Sequence, residues 1–123
     1  MTSTAKLQFT RLLTASLIIV LFIGTLMPGR WKQSAEQTVD VSINLAGVAH
    51  VVLFAAICWL LPRTEWWRIR SWHVLAVGAV LAFVTEGLQF FAIDRHPNLA
   101  GVAQNLTGTL IGWALGRSAA RNL

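Results

Sequence analysis

The sequence predicts an all-α fold, a bundle of four transmembrane helices with both chain termini on the cytoplasmic side. Of its 123 residues, 55% are hydrophobic and only 12% are charged, whereas a soluble domain carries roughly twice that charged fraction. Four apolar stretches account for most of the chain and leave little sequence for a water-soluble domain. Residues 1–123 are therefore interpreted as a single helical membrane domain.

Each apolar stretch is about long enough to cross a hydrocarbon core of about 30 Å, allowing for tilt. The predicted helices are Leu12–Met27, Ile43–Leu61, His73–Phe91 and Leu99–Leu115. Pro28 and Pro62 end the first two helices, and Pro97 lies just before the fourth. The connection from Pro28 to Ser42 is the longest, and we expect it to be a loop on the outer surface. The first stretch is interpreted as a retained helix, because no small-x-small cleavage motif of a signal peptide follows it.

The distribution of basic residues predicts the orientation of these helices. The net charge is +5, and most lysines and arginines lie before the first helix, between the second and third, or after the fourth. Those residues are Lys6, Arg11, Arg63, Arg68, Arg70, Arg117 and Arg121, whereas Arg30, Lys32 and Arg95 lie on the other side. Because cytoplasmic segments are enriched in Lys and Arg, the pattern predicts cytoplasmic termini. We expect no nucleic-acid partner, since that would require a basic patch with exposed aromatic residues.

Polar side chains fall at one depth in three of the predicted helices. His50, Glu86 and Asn105 each lie roughly 8–10 Å from the outer end of their helix, at a rise of about 1.5 Å per residue. Gln89 lies on the same helical face as Glu86, and Arg95 is in the outer loop, close enough to cover the opening. A charged side chain at membrane depth is costly unless it faces a cavity or a partner. The sequence therefore predicts an outward-facing polar pocket formed by these five residues.

The predicted pocket residues have the chemistry of a binding site. Glu86 can accept hydrogen bonds or a proton, and His50 can donate or accept. Arg95 can hold a carboxylate or phosphate through two parallel hydrogen bonds. The alternative is a structural role, in which Glu86 pairs with His50 or Arg95 and the amides of Gln89 and Asn105 satisfy one another. For Glu86 that alternative is less favoured, because a buried carboxylate is a costly way to join helices.

Small residues form a stripe along the fourth predicted helix, at Gly101, Gly108, Gly112 and Gly116. Glycine at helical spacing lets another backbone approach closely. We expect the stripe to pack against the second or third helix of the same chain. The alternative is a homo-oligomer formed through the same stripe.

Catalytic, metal and cofactor sites are not predicted. His50 and Glu86 are too few ligands for a metal. No nucleophile lies at a suitable spacing, so an intramembrane enzyme with Glu86 as general base is the least favoured alternative. The single cysteine, Cys58, lies within the second apolar stretch and cannot form an intrachain disulfide.

The motif Glu86-x-x-Gln89, then Arg95, then Asn105-x-x-Gly108-x-x-x-Gly112, with His50 in the preceding helix, resembles the VanZ-like family. The resemblance spans roughly 44–116. It implies a small multi-pass protein of the bacterial cytoplasmic membrane, in a family associated with low-level resistance to the glycopeptide teicoplanin. The chain departs from the family at Ala46 and Gly47, where Asp-Lys is common, and at Gly101, where Asp is common.

Two functions follow as hypotheses. The favoured one is an envelope-associated protein that binds a lipid-linked ligand, or the lipid tail of a glycopeptide, in the polar pocket. The other is a small proton-coupled transporter that uses Glu86. A dimer of the small multidrug-resistance type is disfavoured, because the charge bias specifies one orientation and the first helix has no acidic residue.

Overall fold

The computed structural model describes residues 1–39, 45–66, 68 and 70–121, and these residues form helices joined by short connections without any strand. The helices are α1 (Ser3–Leu26), α2 (Gly29–Val39), α3 (Leu45–Leu60), α4 (Ser71–Leu88) and α5 (Leu99–Arg121). Single 3₁₀ turns at Leu61–Arg63 and Gln89–Phe91 extend α3 and α4. The prediction of an all-α fold is confirmed.

Three of the described helices are long and apolar enough to cross a membrane: α1, α3 with its 3₁₀ turn, and α4 with its 3₁₀ turn. They correspond to the first three predicted stretches. The fourth stretch is also helical, and α5 is 23 residues long. It is less apolar than the others because Gln104, Asn105 and several threonines and glycines interrupt its hydrophobic residues.

The prediction of a loop between Pro28 and Ser42 is wrong, because Gly29–Val39 forms the helix α2. Pro28 ends α1, but its carbonyl accepts a hydrogen bond from the Trp31 N–H (3.0 Å) within the first turn of α2. The segment after Pro28 contains no further proline, so nothing prevents a new helix. Residues 40–44, which include the predicted start of the second helix, lie outside the described residues.

α1 and α5 are longer than the apolar stretches that predicted them. α1 begins at Ser3 rather than Leu12, after Thr2, whose hydroxyl caps the helix by accepting from the Ala5 N–H (3.2 Å). α5 continues to Arg121. A hydrophobic stretch predicts only the apolar part of a helix. Polar turns at either end lengthen the helix without changing the hydrophobic pattern.

α5 packs against both α3 and α4, and α1 covers α3 and α4 from another side. Leu21, Phe54, Ile57 and Ala82 form the buried core between α1, α3 and α4. Gly78 of α4 gives room to Thr109 of α5, since a Cβ at Gly78 would overlap the threonine side chain.

The bundle has two ends with different chemistry. At the pocket end lie the last turn of α1, the first turns of α3 and α5, and the last turn of α4, together with Arg95 and the residues described below. At the basic end lie Arg11, Arg63, Arg70 and Arg117, near the other termini of the same four helices.

Candidate functional site: a polar pocket at one end of the bundle

A cavity of about 170 Å³ opens at the pocket end between α3, α4 and α5. Its lining residues are Ala46, Gly47, His50, Glu86, Gln89, Arg95, His96, Asn98, Ala100, Gly101 and Gln104. Four of the five predicted pocket residues are therefore on its wall. The fifth, Asn105, is fully buried and lies behind His50.

Glu86 is buried, with 8% of its surface exposed. Its Oε1 atom accepts a hydrogen bond from the backbone N–H of Asn98 (2.5 Å), the residue before the first turn of α5. The carboxylate also occupies the space of the missing side chain of Gly101, because a Cβ built there would overlap it. The environment of Glu86 is thus the N-terminus of α5, where a negative charge is stabilised by the helix dipole and free N–H groups.

The arrangement at this helix start is a capping box with one member supplied by another helix. Asn98 caps α5 in the ordinary way, since its Oδ1 accepts from the Gly101 N–H (2.8 Å). In the usual box, a Glu three residues after the cap returns a bond to the N–H of the capping residue. Here that position is Gly101, and Glu86 of α4 makes the bond instead. One function of Glu86 is therefore to fasten α4 to the start of α5.

A chain of polar contacts runs behind the cavity and joins three helices. His50 Nδ1 of α3 lies 2.9 Å from Asn105 Oδ1 of α5. The Asn105 amide nitrogen donates to the hydroxyl of Thr85 in α4 (3.3 Å). Thr85 in turn donates to the Leu81 carbonyl (2.8 Å) of its own helix. Because Thr85 and Asn105 are both fully buried, these bonds specify how the three helices align.

Arg95 lies between the cavity and α1. Its Nη2 atom donates to the backbone carbonyls of Gly24 (3.2 Å) and Thr25 (3.5 Å), which end α1. A cation at this position is favourable because the last carbonyls of a helix carry partial negative charge. Its Nε atom is buried and has no hydrogen-bond partner within the described part of the chain. Arg95 therefore joins the segment between α4 and α5 to the end of α1. It also forms part of the cavity wall.

A second, apolar cavity of about 260 Å³ adjoins the first between α1 and α3. Ala46, His50 and Arg95 line both cavities. The other walls of the second cavity are mostly hydrophobic and include Val20, Leu21, Met27, Leu45 and Leu53. The polar and apolar cavities together could hold an amphipathic molecule, with its polar group among Glu86 and Gln89 and its chain between α1 and α3.

The four glycines of the α5 stripe have different surroundings. A Cβ at Gly108 would overlap the Val51 carbonyl and the Phe54 side chain, and one at Gly112 would overlap the Ala55 carbonyl, so both glycines lie directly against α3. Gly101 lies against the Glu86 carboxylate, and a Cβ at Gly116 would make only ordinary contacts. Gly108 and Gly112 are thus covered by α3 of the same chain.

Several residues of the site were not among those predicted. Thr85 and Asn98 make its central hydrogen bonds, and His96 and Gln104 line its cavity. The sequence Pro97-Asn98 before an apolar helix is a recognisable capping signal. Thr85 carried no such signal, because a threonine in an apolar helix ordinarily bonds its own backbone.

The described residues contain no group of three or more His, Cys, Asp or Glu side chains that could hold a metal ion. No protein-family model, curated protein or solved structure matches the chain. A function for the chain is therefore inferred from the chemistry of the two adjoining cavities.

Proposed function

We propose that the chain is a VanZ-like protein of the bacterial cytoplasmic membrane that binds the polar group of a lipid-linked envelope molecule in the polar pocket. The observation that carries this proposal is the pair of adjoining cavities. One is polar and lined by Glu86 and Gln89, the other is apolar, and His50 and Arg95 belong to both. An amphipathic ligand is the class of molecule that would fill both.

The proposed topology has four membrane-spanning helices, α1, α3, α4 and α5, with both termini in the cytoplasm. It is supported by the distribution of Lys and Arg, most of which lie at one end of the bundle. The positive-inside rule assigns that end to the cytoplasm. In this orientation the polar pocket opens toward the cell envelope, and α2 lies on the outer surface. α5 would be inserted as part of the bundle, with the buried Asn105 and Thr109 turned toward α3 and α4.

The polar lining favours a ligand rich in hydrogen-bond donors. Glu86 and the amides of Gln89 and Gln104 offer several acceptor oxygens within one small cavity. Arg95 adds donor capacity at the boundary between the two cavities. Sugar hydroxyls, amides and amines, which occur in cell-wall precursors and in glycopeptides, match such a lining. Binding teicoplanin, or the precursor that it targets, would account for a contribution to glycopeptide tolerance.

A proton-coupled transporter that uses Glu86 is the weaker proposal. Below the polar chain of His50 and Asn105, the centre of the bundle is filled by Leu21, Phe54, Ile57 and Ala82. Transport would require this core to open, whereas binding at the pocket end would not. Proton-driven uptake of a substrate into vesicles that contain the purified protein, abolished in Glu86→Gln, would favour transport.

The binding proposal is tested by blocking each cavity separately. Gln89→Leu removes an amide from the polar cavity, and Ala49→Trp fills the apolar one, of which Ala49 is a lining residue. Gln37→Leu on α2 and Val80→Trp on α4 are matched controls, because both side chains are exposed and line neither cavity. Teicoplanin tolerance is measured in cells that produce equal amounts of each variant, and teicoplanin binding is measured on the purified proteins.

We expect Gln89→Leu and Ala49→Trp to reduce both tolerance and binding, and both control variants to behave as the wild type. A glycopeptide without an acyl chain should be insensitive to Ala49→Trp. If the two cavity variants express normally, tolerate teicoplanin and bind it as the wild type does, the pocket has no part in this function.

A further inference from the structure

A third cavity, of about 190 Å³, lies at the basic end, between the end of α3, the start of α4 and the last turns of α5. Its floor is apolar and includes Cys58 and Val74. Arg70 and Arg117 lie on its rim, and none of its lining residues is acidic. It shares no lining residue with the two cavities at the pocket end.

One arginine of the rim, Arg117, is held against a tryptophan ring, and so is Arg63, which lies outside the cavity lining. The Arg117 guanidinium lies 4.9 Å from the centre of the Trp113 ring, and that of Arg63 lies 4.2 Å from the centre of the Trp59 ring. Arg63 also donates to the Trp59 carbonyl. Stacking on an aromatic face leaves the N–H groups at the edge of a guanidinium able to meet an anion.

A hydroxyl group completes the rim. Trp113 Nε1 donates to Ser71 Oγ (2.6 Å), which joins α5 to the first residue of α4. Because the Ser71 oxygen accepts this bond, its own proton remains available as a donor. Arg70, Ser71 and Arg117 thus provide donors from two helices around one opening, over an apolar floor.

From this arrangement we propose that the cavity binds the phosphate group of an anionic phospholipid. Guanidinium groups match phosphate oxygens in charge and geometry, and basic pockets between membrane helices are suited to acidic head groups. The apolar floor formed by Cys58 and Val74 suits the glycerol and upper acyl region of the same molecule. We expect a lipid rather than a soluble anion in this cavity, because α3 and α4, whose ends form the site, are apolar enough to lie in a bilayer.

The test uses the purified full-length chain in a non-ionic detergent, titrated with phosphatidylglycerol, phosphatidylcholine or inorganic phosphate. Binding is followed by the shift in thermal unfolding and by native mass spectrometry of retained lipid. We expect phosphatidylglycerol to bind much more tightly than phosphatidylcholine, and inorganic phosphate to give no comparable protection. Arg70→Gln and Arg117→Gln should each weaken the affinity for phosphatidylglycerol about fivefold.

Two further variants distinguish a defined lipid-binding site from general electrostatic attraction between anionic lipid and the basic end. Arg68→Gln removes a charge from the same connection without altering the cavity lining, and it should leave the affinity unchanged. Ser71→Ala keeps every charge and removes the hydroxyl from the cavity rim, so it should weaken phosphatidylglycerol binding.

The proposal would be overturned by an equal loss of affinity in Arg68→Gln and Arg117→Gln, by unchanged affinity in Ser71→Ala, or by equal binding of phosphatidylcholine. Protection by inorganic phosphate equal to that by phosphatidylglycerol would also overturn it, because the site would then recognise a free anion. Since these residues lie apart from the polar pocket, the outcome is independent of the function proposed for that pocket.

Discussion

At the start of α5, two residues far apart in sequence complete a capping box that is ordinarily local. Asn98 bonds the Gly101 N–H, and Glu86 bonds the Asn98 N–H. The lack of a side chain at Gly101 allows this, since a Cβ there would displace the carboxylate from its present position. Gly101, predicted as part of a helix-packing stripe, therefore makes room for Glu86.

Gly101→Ala should destabilise the protein by about 1–3 kcal/mol, the usual cost of an added methyl group in a filled space. The new Cβ would displace the Glu86 carboxylate and disturb its bond to Asn98. The control is Gly87→Ala, since a Cβ at Gly87 meets nothing within 4 Å. That change should be neutral or stabilising by about 0.5–1 kcal/mol, because alanine favours helix. Unfolding in mixed detergent micelles measures both, and equal stability of the two variants would contradict the assigned packing.

Asn105→Ala should lower stability by about 1–2 kcal/mol, because it breaks contacts to His50 and Thr85 that are each worth about 0.6 kcal/mol on average in membrane proteins and leaves a small void. Thr107→Ala is the matched control on the same helix. Thr107 is exposed and bonds only the Ala103 carbonyl of its own turn among the described contacts. The same micelle unfolding assay applies, and a loss in Thr107→Ala as large as that in Asn105→Ala would show that the polar chain contributes nothing specific.

The polar residues of the pocket could be predicted at the residue scale because helical rise converts sequence position into depth. His50, Glu86 and Asn105 fell at one level by that estimate, and they surround or support one cavity. Their exact partners could not be predicted, because these depend on rotation of each helix about its axis. Arg95 illustrates the limit: its hydrogen bonds go to the carbonyls of α1, a helix about 70 residues earlier in the chain.

At the scale of elements, α1 is fastened by an arginine at each end. At the pocket end, Arg95 donates to the Gly24 and Thr25 carbonyls. At the basic end, Arg11 of α1 donates through Nε to the Thr64 carbonyl (2.7 Å) in the connection between α3 and α4. Each connection also contains a non-glycine residue in the left-handed region, Asp94 (φ 57°) and Glu65 (φ 52°). Arg11 and Arg95 thus join α1 to the α3–α4 and α4–α5 connections through hydrogen bonds.

Arg95→Gln should loosen the last turn of α1. Hydrogen bonds that involve a charged group contribute about 1.5–3 kcal/mol, and the lower end corresponds to roughly tenfold faster amide exchange. Hydrogen–deuterium exchange of peptides covering residues 22–27 measures this effect, with peptides from the centre of α5 as the internal reference. Arg30→Gln, an exposed arginine on α2, is the control. Unchanged exchange in residues 22–27 would mean that Arg95 does not hold α1.

The apolar stretches predicted α1, α3, α4 and α5 because a membrane helix needs a continuous hydrophobic segment. α2 lacked that signal, since it is a polar helix. Its first turn is joined to the rest of the protein through the hydrogen bond from the Gly29 N–H to the Ile93 carbonyl (2.9 Å). The close contact of Gly29 with Asp94 fixes this corner. Such long-range contacts have no local pattern, so the sequence predicted a loop.

For the whole molecule, the proposed topology can be tested by labelling single cysteines with a membrane-impermeant maleimide, after Cys58 is replaced by alanine. Thr2→Cys and Ser118→Cys should be labelled only after the cells are lysed, because both termini are proposed to be cytoplasmic. Ser34→Cys on α2 should be labelled in intact spheroplasts. Labelling of Thr2→Cys and Ser118→Cys on opposite sides would show that α5 does not cross the membrane.

The placement of Glu86 at the start of α5 also bears on the charge of the ligand proposed for the polar pocket. The most favourable position for an anion is already filled by the protein's own carboxylate, which is tethered to α4 and loses no translational freedom in binding there. A negatively charged head group must compete with this resident anion, whereas an ammonium, hydroxyl or amide group meets an acceptor ready to receive it. We therefore expect the proposed ligand to place a neutral or cationic group beside Glu86, and Glu86→Gln to weaken that preference.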